Sequence, residues 1–383
     1  MADVVAIAER AQAAGRLGLD TEFMPEGRYR PLLCLVQVGA GGGVDVLDPL
    51  DPQGGFDPAP LAAAFADPAV EVVVHAGRQD VAILRREWSA DFTNVFDTQV
   101  AAGFAGSAAQ AGYNSLLHDV LRIRLPKSSS FTRWDARPLT DEQLGYARGD
   151  VEHLLALADE IRDRLEERGR LEWAQEECRA IAAATDERDP AEVWRRLPRV
   201  SGLDPRERAV ARELAAWRER TAAAEDRPVG SVLRDPTVVE LAKRRPESRR
   251  DLSQIRGVNP EVVRRRADDL IEAIGRGRAA APIGNDDGER LAIEPRDGPV
   301  VALAESLVRA RAQEAGLAYE LIAARADLAP IVVSARRGEP EPDVRTLRGW
   351  RRELVGAELL DLLAGARRLG VAPHGRIDVV DAD

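Results

Sequence analysis

The sequence predicts a mixed α/β sheet domain followed by all-α helical units. Three observations carry that reading. Before residue 100, short apolar runs of strand length first follow one another closely and then alternate with helical stretches, the pattern of a sheet with both hairpin and crossover connections. From Thr140 onward apolar residues recur at helical spacing. Beyond Asp204 only helical patterns are recognisable, punctuated by Asp235-Pro236, Arg245-Pro246 and Asn259-Pro260, where proline starts or stops a helix.

In chain order, residues 3–14 form a short amphipathic helix and 16–22 a strand. After the polar turn MPEGRYR come strands at 32–39 and 44–50, joined by the glycine run Gly39 to Gly43; strands coupled this closely are antiparallel neighbours. Residues 58–65 are helical. VEVVVHA at 70–76 is β-branched and continuous, a buried strand. A helix at 79–87, a short strand at 95–98 and helices at 98–105 and 113–121 follow. Residues 122–139 are irregular. Thr140, with Gln143 three positions on, has capping-box spacing for a long helix whose stripe runs Ala147, Val151, Leu154, Leu155, Ala158, Ile161 and Leu165.

The character of the chain changes after residue 186. The sheet domain is assigned 1–198, a helical domain 199–275, a Gly/Pro-rich linker 276–299, and a second helical unit 300–375 with the same order of long, short and closing helices, read as a fainter repeat of the first. Apolar residues make up 45% of the 383, enough for a real core. No apolar run reaches the length of a membrane span, and the N-terminus lacks the basic start and apolar block of a signal peptide. Cys34 and Cys178 stand far apart, which suits a reducing, cytoplasmic setting. The net charge of −11 argues against a nucleic-acid partner until it is mapped: residues 1–190 carry 19 basic and 32 acidic side chains, net −13, whereas 199–275 carry 17 and 14, net +3. Cations bound in the first part would offset some of its charge.

The chemistry centres on LGLDTEF, residues 17–23. Asp20 and Glu22 are two apart in a strand and share a face. Such a pair repels itself unless a cation intervenes, and Mg²⁺ favours hard oxygen ligands; alone, the pair also fits a solvated strand end. Asp80 follows the fourth strand in HAGRQD, at a sheet end where open α/β folds place their sites, though a carboxylate also suits the first turn of any helix. Tyr146 and Asp150, four apart in YARGD, face one way on a helix. The loop KSSSFTRWDARPLT offers Lys127, Arg133 and Arg137 to phosphates, with Phe131 and Trp134 able to stack on bases or to pack the loop down. In the helical part Lys243, Arg244 and Arg245, with Arg249, Arg250 and Arg264 to Arg266, could follow a phosphate backbone or form a solvated face. His75 reads as a hydrogen-bonded structural histidine, Asp97 as a helix cap, and Gln37 as able to reach the cleft.

Taken together, DTEF, VVVHAGRQD and RPLTDEQLGYARGD resemble the three motifs of DEDD 3′–5′ exonucleases, in the subgroup with a tyrosine in the last motif. The KS…W…RPLT…Y…D run, with helical units resembling HRDC domains behind it, is most similar to the ribonuclease D family. The resemblance implies a ribonuclease H-like fold, with Asp20, Glu22, Asp80 and Asp150 as metal-binding carboxylates and Tyr146 orienting the attacking water. It further implies two divalent ions, Mg²⁺ or Mn²⁺, with Asp20 bridging them. The implied activity is trimming of 3′ ends of structured RNA, tRNA precursors in particular, releasing nucleoside 5′-monophosphates, by a monomer. Members usually begin with a short edge strand before the first helix, whereas this chain starts nearly at the helix, and Ser129 stands where the family often has a larger polar residue. The competing readings are a 3′–5′ exonuclease acting on single-stranded DNA in repair, and a nucleic-acid-binding protein on an inactive nuclease fold. No motif reports on the 2′ hydroxyl that separates RNA from DNA.

Overall fold

The structure, a computed structural model, describes residues 3–125, 133–284 and 294–382. Lys127, Ser129 and Phe131 lie outside the described residues. The first helix, α1 (Val4–Ala14), is capped by the Asp3 carboxylate and ended by Gly15 in the left-handed region at φ 66°. Then come β1 (Arg16–Met24), β2 (Leu32–Ala40), β3 (Gly43–Leu47), α2 (Ala59–Ala66), β4 (Glu71–Val74), α3 (Arg78–Trp88), β5 (Val95–Asp97), α4 (Thr98–Phe104) and α5 (Tyr113–Leu116). The five strands form one sheet ordered β3-β2-β1-β4-β5. β1 lies at its centre, antiparallel to β2 and parallel to β4. Among the described residues no strand precedes α1.

The long helix expected from Thr140 is two helices, α6 (Asp141–Glu152) and α7 (Leu154–Glu167), broken at His153. The capping box at Thr140 and Gln143 is formed. α6 covers β1, β2 and β3, while α7 turns toward β4 and α4. A twisted sheet does not present one straight groove to a helix of that combined length. Close approach there depends on two glycines: a Cβ on Gly39 would lie 3.3 Å from the Val151 carbonyl oxygen, and one on Gly18 would lie 3.5 Å from Leu154. α8 (Leu171–Ala182) completes this part.

Two helical units follow. The first contains α9 (Pro205–Ala224), α10 (Val229–Val232), α11 (Asp235–Arg244), α12 (Arg249–Ser253) and α13 (Pro260–Ala279). The second contains α14 (Asp297–Ala315), α15 (Tyr319–Ile322), α16 (Arg325–Arg337), α17 (Gly349–Arg351) and α18 (Ala357–Leu363) in the same order of long, short, medium, short and closing helix. Both α13 and α14 extend into the stretch read as linker. The expectation that no strand follows Asp204 is corrected: β6 (Arg367–Val371) and β7 (Ile377–Asp381) make an antiparallel hairpin. Its signal was the alternation Leu369-x-Val371 and Ile377-x-Val379, split by Gly370, Pro373 and Gly375; Leu369 and Val379 pack on the core.

The second helical unit is fused to the nuclease rather than trailing it. Its residues Leu307, Ile322, Leu328 and Trp350 share one apolar cluster with Phe104, Leu116 and Leu157. Trp350 meets Phe104 edge-on at 5.0 Å and stacks on Trp173 at 5.2 Å. Glu177 of α8 accepts hydrogen bonds from Trp350 Nε1 at 3.0 Å and from Arg351 at 2.5 and 3.0 Å. The first helical unit touches the sheet domain through the β1–β2 loop, where Tyr29 Oη donates to Glu219 at 2.8 Å and Arg28 pairs with Asp226 at 2.7 Å.

Candidate active site

β1 sets the site. Asp20 and Glu22 project from its α6-facing side, two residues apart, beyond the gap that Gly18 leaves for the helix. A bulge between Glu22 and Phe23 shifts the register with β2 just after them, and pairing resumes at Phe23 with Leu33. From above, α6 brings Asp150 down to the pair. One carboxylate oxygen from each of Asp20, Glu22 and Asp150 can be chosen so that all lie within 4.8 Å of one another.

Asp80 sits in the first turn of α3, where a carboxylate also suits the helix dipole. It lies outside that close group but within its field, since its charge acts on both Asp20 and Glu22. It is 7% exposed and accepts a hydrogen bond from the Thr21 hydroxyl. Thr21, between the two carboxylates of β1, was not singled out in the sequence; a β-branched residue in a strand carries no polar signal of its own.

The electrostatics are those of anions pressed together without a countercharge. Burial, then Asp80, Asp150 and Glu22, push the Asp20 carboxyl well above the usual range. Burial followed by Asp150 and Asp80 raises Glu22 to about 8. Burial alone raises Asp150 to about 7. Asp80 is raised by burial against the opposing Thr21 hydrogen bond. Protons must occupy such a cluster, or cations must. The donor set is hard oxygen throughout, so the residues present fit a divalent metal of the Mg²⁺ or Mn²⁺ type. Tyr146, one turn before Asp150, has its phenol pushed upward by burial and by Asp150, Glu22 and Asp20, so it stays protonated. A second tyrosine, Tyr113, also feels Asp150 and Asp20; its hydroxyl is buried, and its ring lies 5.5 Å from that of His75. Nothing in the spacing of Tyr113 marked it.

The residues weighed as structural are so. His75 Nδ1 is 3.0 Å from Thr98 Oγ1, with Nε2 buried. Asp97 caps α4 through Gln99 and Val100 and also accepts from Ala76 and Gly77. Trp134 is buried against Cys34, Leu35 and Ala147, with its ring 6.0 Å from that of Tyr146, so it packs the loop down.

The cations proposed for phosphate stand differently. Arg137 faces inward: it grips Asp48 with Nε at 2.6 Å and Nη2 at 2.5 Å, and donates to the Cys34 and Trp134 carbonyls. Its donors tie the loop to the sheet. Arg133 is exposed and paired with Asp135 at 2.9 Å. Lys243 is exposed, Arg244 pairs with Glu240 one turn back, and Arg245 closes α11 in the left-handed region. Arg244 and Arg245 line a surface cavity of about 570 Å³ with Arg206 and Arg278. Arg249, Arg264 and Arg266 are engaged by Asp268, Glu261 and Glu225.

A mixed sheet of this order, with acidic side chains converging from its central strand and from the helix laid over it, defines a 3′–5′ exonuclease. A family model described as 3′-5′ exonuclease matches residues 2–166, and the HRDC domain model matches residues 207–274. Ribonuclease D of Acidiphilium cryptum is 36% identical over 99% of this chain and 95% of its own length. That of Pseudomonas paraeruginosa is 36% identical over 91% and 92%. The crystal structure of Escherichia coli RNase D, described as an exoribonuclease involved in structured RNA processing, matches with a TM-score of 0.82 at 27% identity, covering 94% of this chain and 96% of that one. The chain belongs to the ribonuclease D family and is a divalent-metal-dependent 3′–5′ exoribonuclease. No described helix is long and apolar enough to cross a membrane.

Proposed function

We propose that this enzyme shortens the 3′ ends of structured RNA such as tRNA precursors, one nucleoside 5′-monophosphate at a time, with two divalent ions, Mg²⁺ or Mn²⁺. The observation that carries the reading is the convergence of Asp20, Glu22 and Asp150 within 4.8 Å, beside Asp80. Asp20 would be shared between the ions, Glu22 and Asp150 would hold the one serving the nucleophile, and Asp80 would serve the other. Held there, such ions would supply Lewis acidity, lowering the pKa of an attacking water and neutralising charge on the departing 3′ oxygen. Tyr146, a protonated phenol in the metal-free site, would orient that water by hydrogen bonding.

Residues 1–198 act as the nuclease, 199–275 as an HRDC domain, 276–299 as the linker and 300–375 as a degenerate second copy. The repeated helix order supports that division. In the first copy Lys243, Arg244 and Arg245, and in the stretch of sequence preceding α6 Lys127 and Arg133, take the RNA backbone. The second copy buries its apolar face on the nuclease, which suits a structural role. Two free buried cysteines suit a reducing cytoplasm, and we take the working unit to be a monomer.

The test is a product ladder on a tRNA carrying extra 3′ nucleotides, run beside matched RNA and DNA oligonucleotides with Mg²⁺, Mn²⁺ or chelator. Stepwise loss from the 3′ end, faster on RNA and abolished by chelator, is the expected result. Equal or faster DNA digestion would overturn the substrate assignment, and persistence in chelator would overturn the metal mechanism.

A further inference from the structure

Gln37 is fully buried, and neither its amide nitrogen nor its amide oxygen has a hydrogen-bond partner among the described residues. Leaving a buried polar group unpaired costs about 1–3 kcal/mol, so native interiors seldom keep one without a task. Strand register identifies the neighbours. Gln37 is paired across the sheet with Asp20 of β1 on one side and with Val46 of β3 on the other. Directly opposed residues hold their Cβ atoms roughly 4.5–5.5 Å apart on the same face. That face is the one α6 covers: Leu35, two residues before Gln37, packs with Trp134 and Ala147, and Gly39, two residues after, lies under Val151. Leu35, Gly39 and Val46 offer no side-chain acceptor, whereas Asp20 does.

We propose that Gln37 is a positioning residue of the metal site, whose side-chain amide N–H donates to an Asp20 carboxylate oxygen when that carboxylate holds a divalent cation. The inference rests on the reading of Asp20 as a metal ligand. A carboxylate is an acceptor with several lone-pair directions. A donor fixed on one oxygen decides which direction is left for the cation. The neighbouring Thr21 hydroxyl already does this for Asp80. A neutral amide suits the task better than Lys or Arg, because it orients the carboxylate without adding a positive charge that would repel the ion. Outer groups that orient metal ligands in this way are typically worth about 10–100-fold in metal affinity.

The test is calorimetric titration of Mn²⁺ into the full-length chain, comparing the wild type with Gln37→Met, which keeps the volume and loses the donor, and with Asp20→Asn. Gln37→Met is expected to weaken Mn²⁺ binding by roughly 10–100-fold while leaving the metal-free melting temperature unchanged or higher. Affinity within about twofold of wild type, against the roughly 10–100-fold expected, would overturn the proposal; a purely structural glutamine would instead lower the metal-free melting temperature and leave affinity alone. If Asp20→Asn binds Mn²⁺ like the wild type, the assignment of the site itself fails. If Asp20→Asn loses the ion and Gln37→Met does not, only the role of Gln37 fails. Should Gln37→Met not fold, a Mn²⁺-soaked crystal of the wild type decides: an amide nitrogen within about 3.2 Å of an Asp20 oxygen supports the proposal, and a longer separation overturns it.

Discussion

Asp150→Asn separates stability from activity, because the same crowding that prepares the site for cations strains the protein without them. Burial raises Asp150 from an ordinary value of 3.8 to about 7. Each unit is worth about 1.4 kcal/mol, so ionising this carboxyl in the folded, metal-free state costs roughly 4 kcal/mol. Between about pH 4 and pH 7 the folded protein holds a proton that the unfolded chain has released, so metal-free stability falls as pH rises through that window and levels off above it. Asparagine removes that dependence. Allowing for its own burial, the variant should gain about 2–4 kcal/mol at pH 8 in chelator, and little at pH 4. For a nuclease unit of this size that is a rise of roughly 4–16 °C in melting temperature. With Mn²⁺ at a thousand times its Kd the order should reverse, since bound ion then stabilises the wild type by about 4.1 kcal/mol. Exonuclease activity should fall more than about 100-fold, beyond the loss seen for outer groups. Differential scanning calorimetry at the two pH values, with and without metal, reads the stabilities, and the product ladder reads the activity. An equal gain at both pH values, or none at pH 8, would refute the electrostatic account.

Other outcomes follow from single contacts. Tyr146→Phe should lower kcat by about 100-fold with KM and Mn²⁺ affinity unchanged, because it removes a water-orienting hydroxyl and no ligand; steady-state kinetics on a short oligoribonucleotide reads the split. Thr21→Val should weaken Mn²⁺ binding several-fold and cost about 1–3 kcal/mol of stability, since the Asp80 carboxylate loses its donor; calorimetry measures both. Glu177→Ala should cost about 3 kcal/mol by leaving the 6%-exposed Arg351 unpaired. Limited proteolysis should then release the C-terminal unit, while kcat on a short substrate stays the same. Burial favours a raised Glu177 carboxyl, but the Arg351 and Trp350 hydrogen bonds outweigh it and hold it low, so this docking stability is present above the ordinary carboxylate range and lost as pH falls through the lowered value.

Much of the architecture is legible in the sequence. The strands at 16–22, 32–39 and 70–76, the capping box at Thr140 and the helix order of both later units all depend on neighbours within a few residues, and local patterning reports them. The misreadings share a cause. The break at His153 interrupts no apolar stripe, so only the twist of the sheet beneath reveals it. The C-terminal hairpin has five-residue strands whose alternation is cut by glycine and proline. Arg137 looked like a phosphate ligand because a loop arginine has no visible partner in sequence; its partner, Asp48, is 89 residues away.

By itself the sequence determined which side chains could carry the chemistry: Asp20 with Glu22 by the two-residue period of a strand, and Tyr146 with Asp150 by the four-residue turn of a helix. Only the tertiary structure decided that these pairs meet, that Asp80 stands a step back on Thr21, and that Gln37 and Tyr113 border the same cluster. Periodicity sets which way a side chain points along its own element. Distances between elements depend on sheet register and on what α6 is allowed to touch, and at Gly18 and Gly39 that is set by the absence of a side chain.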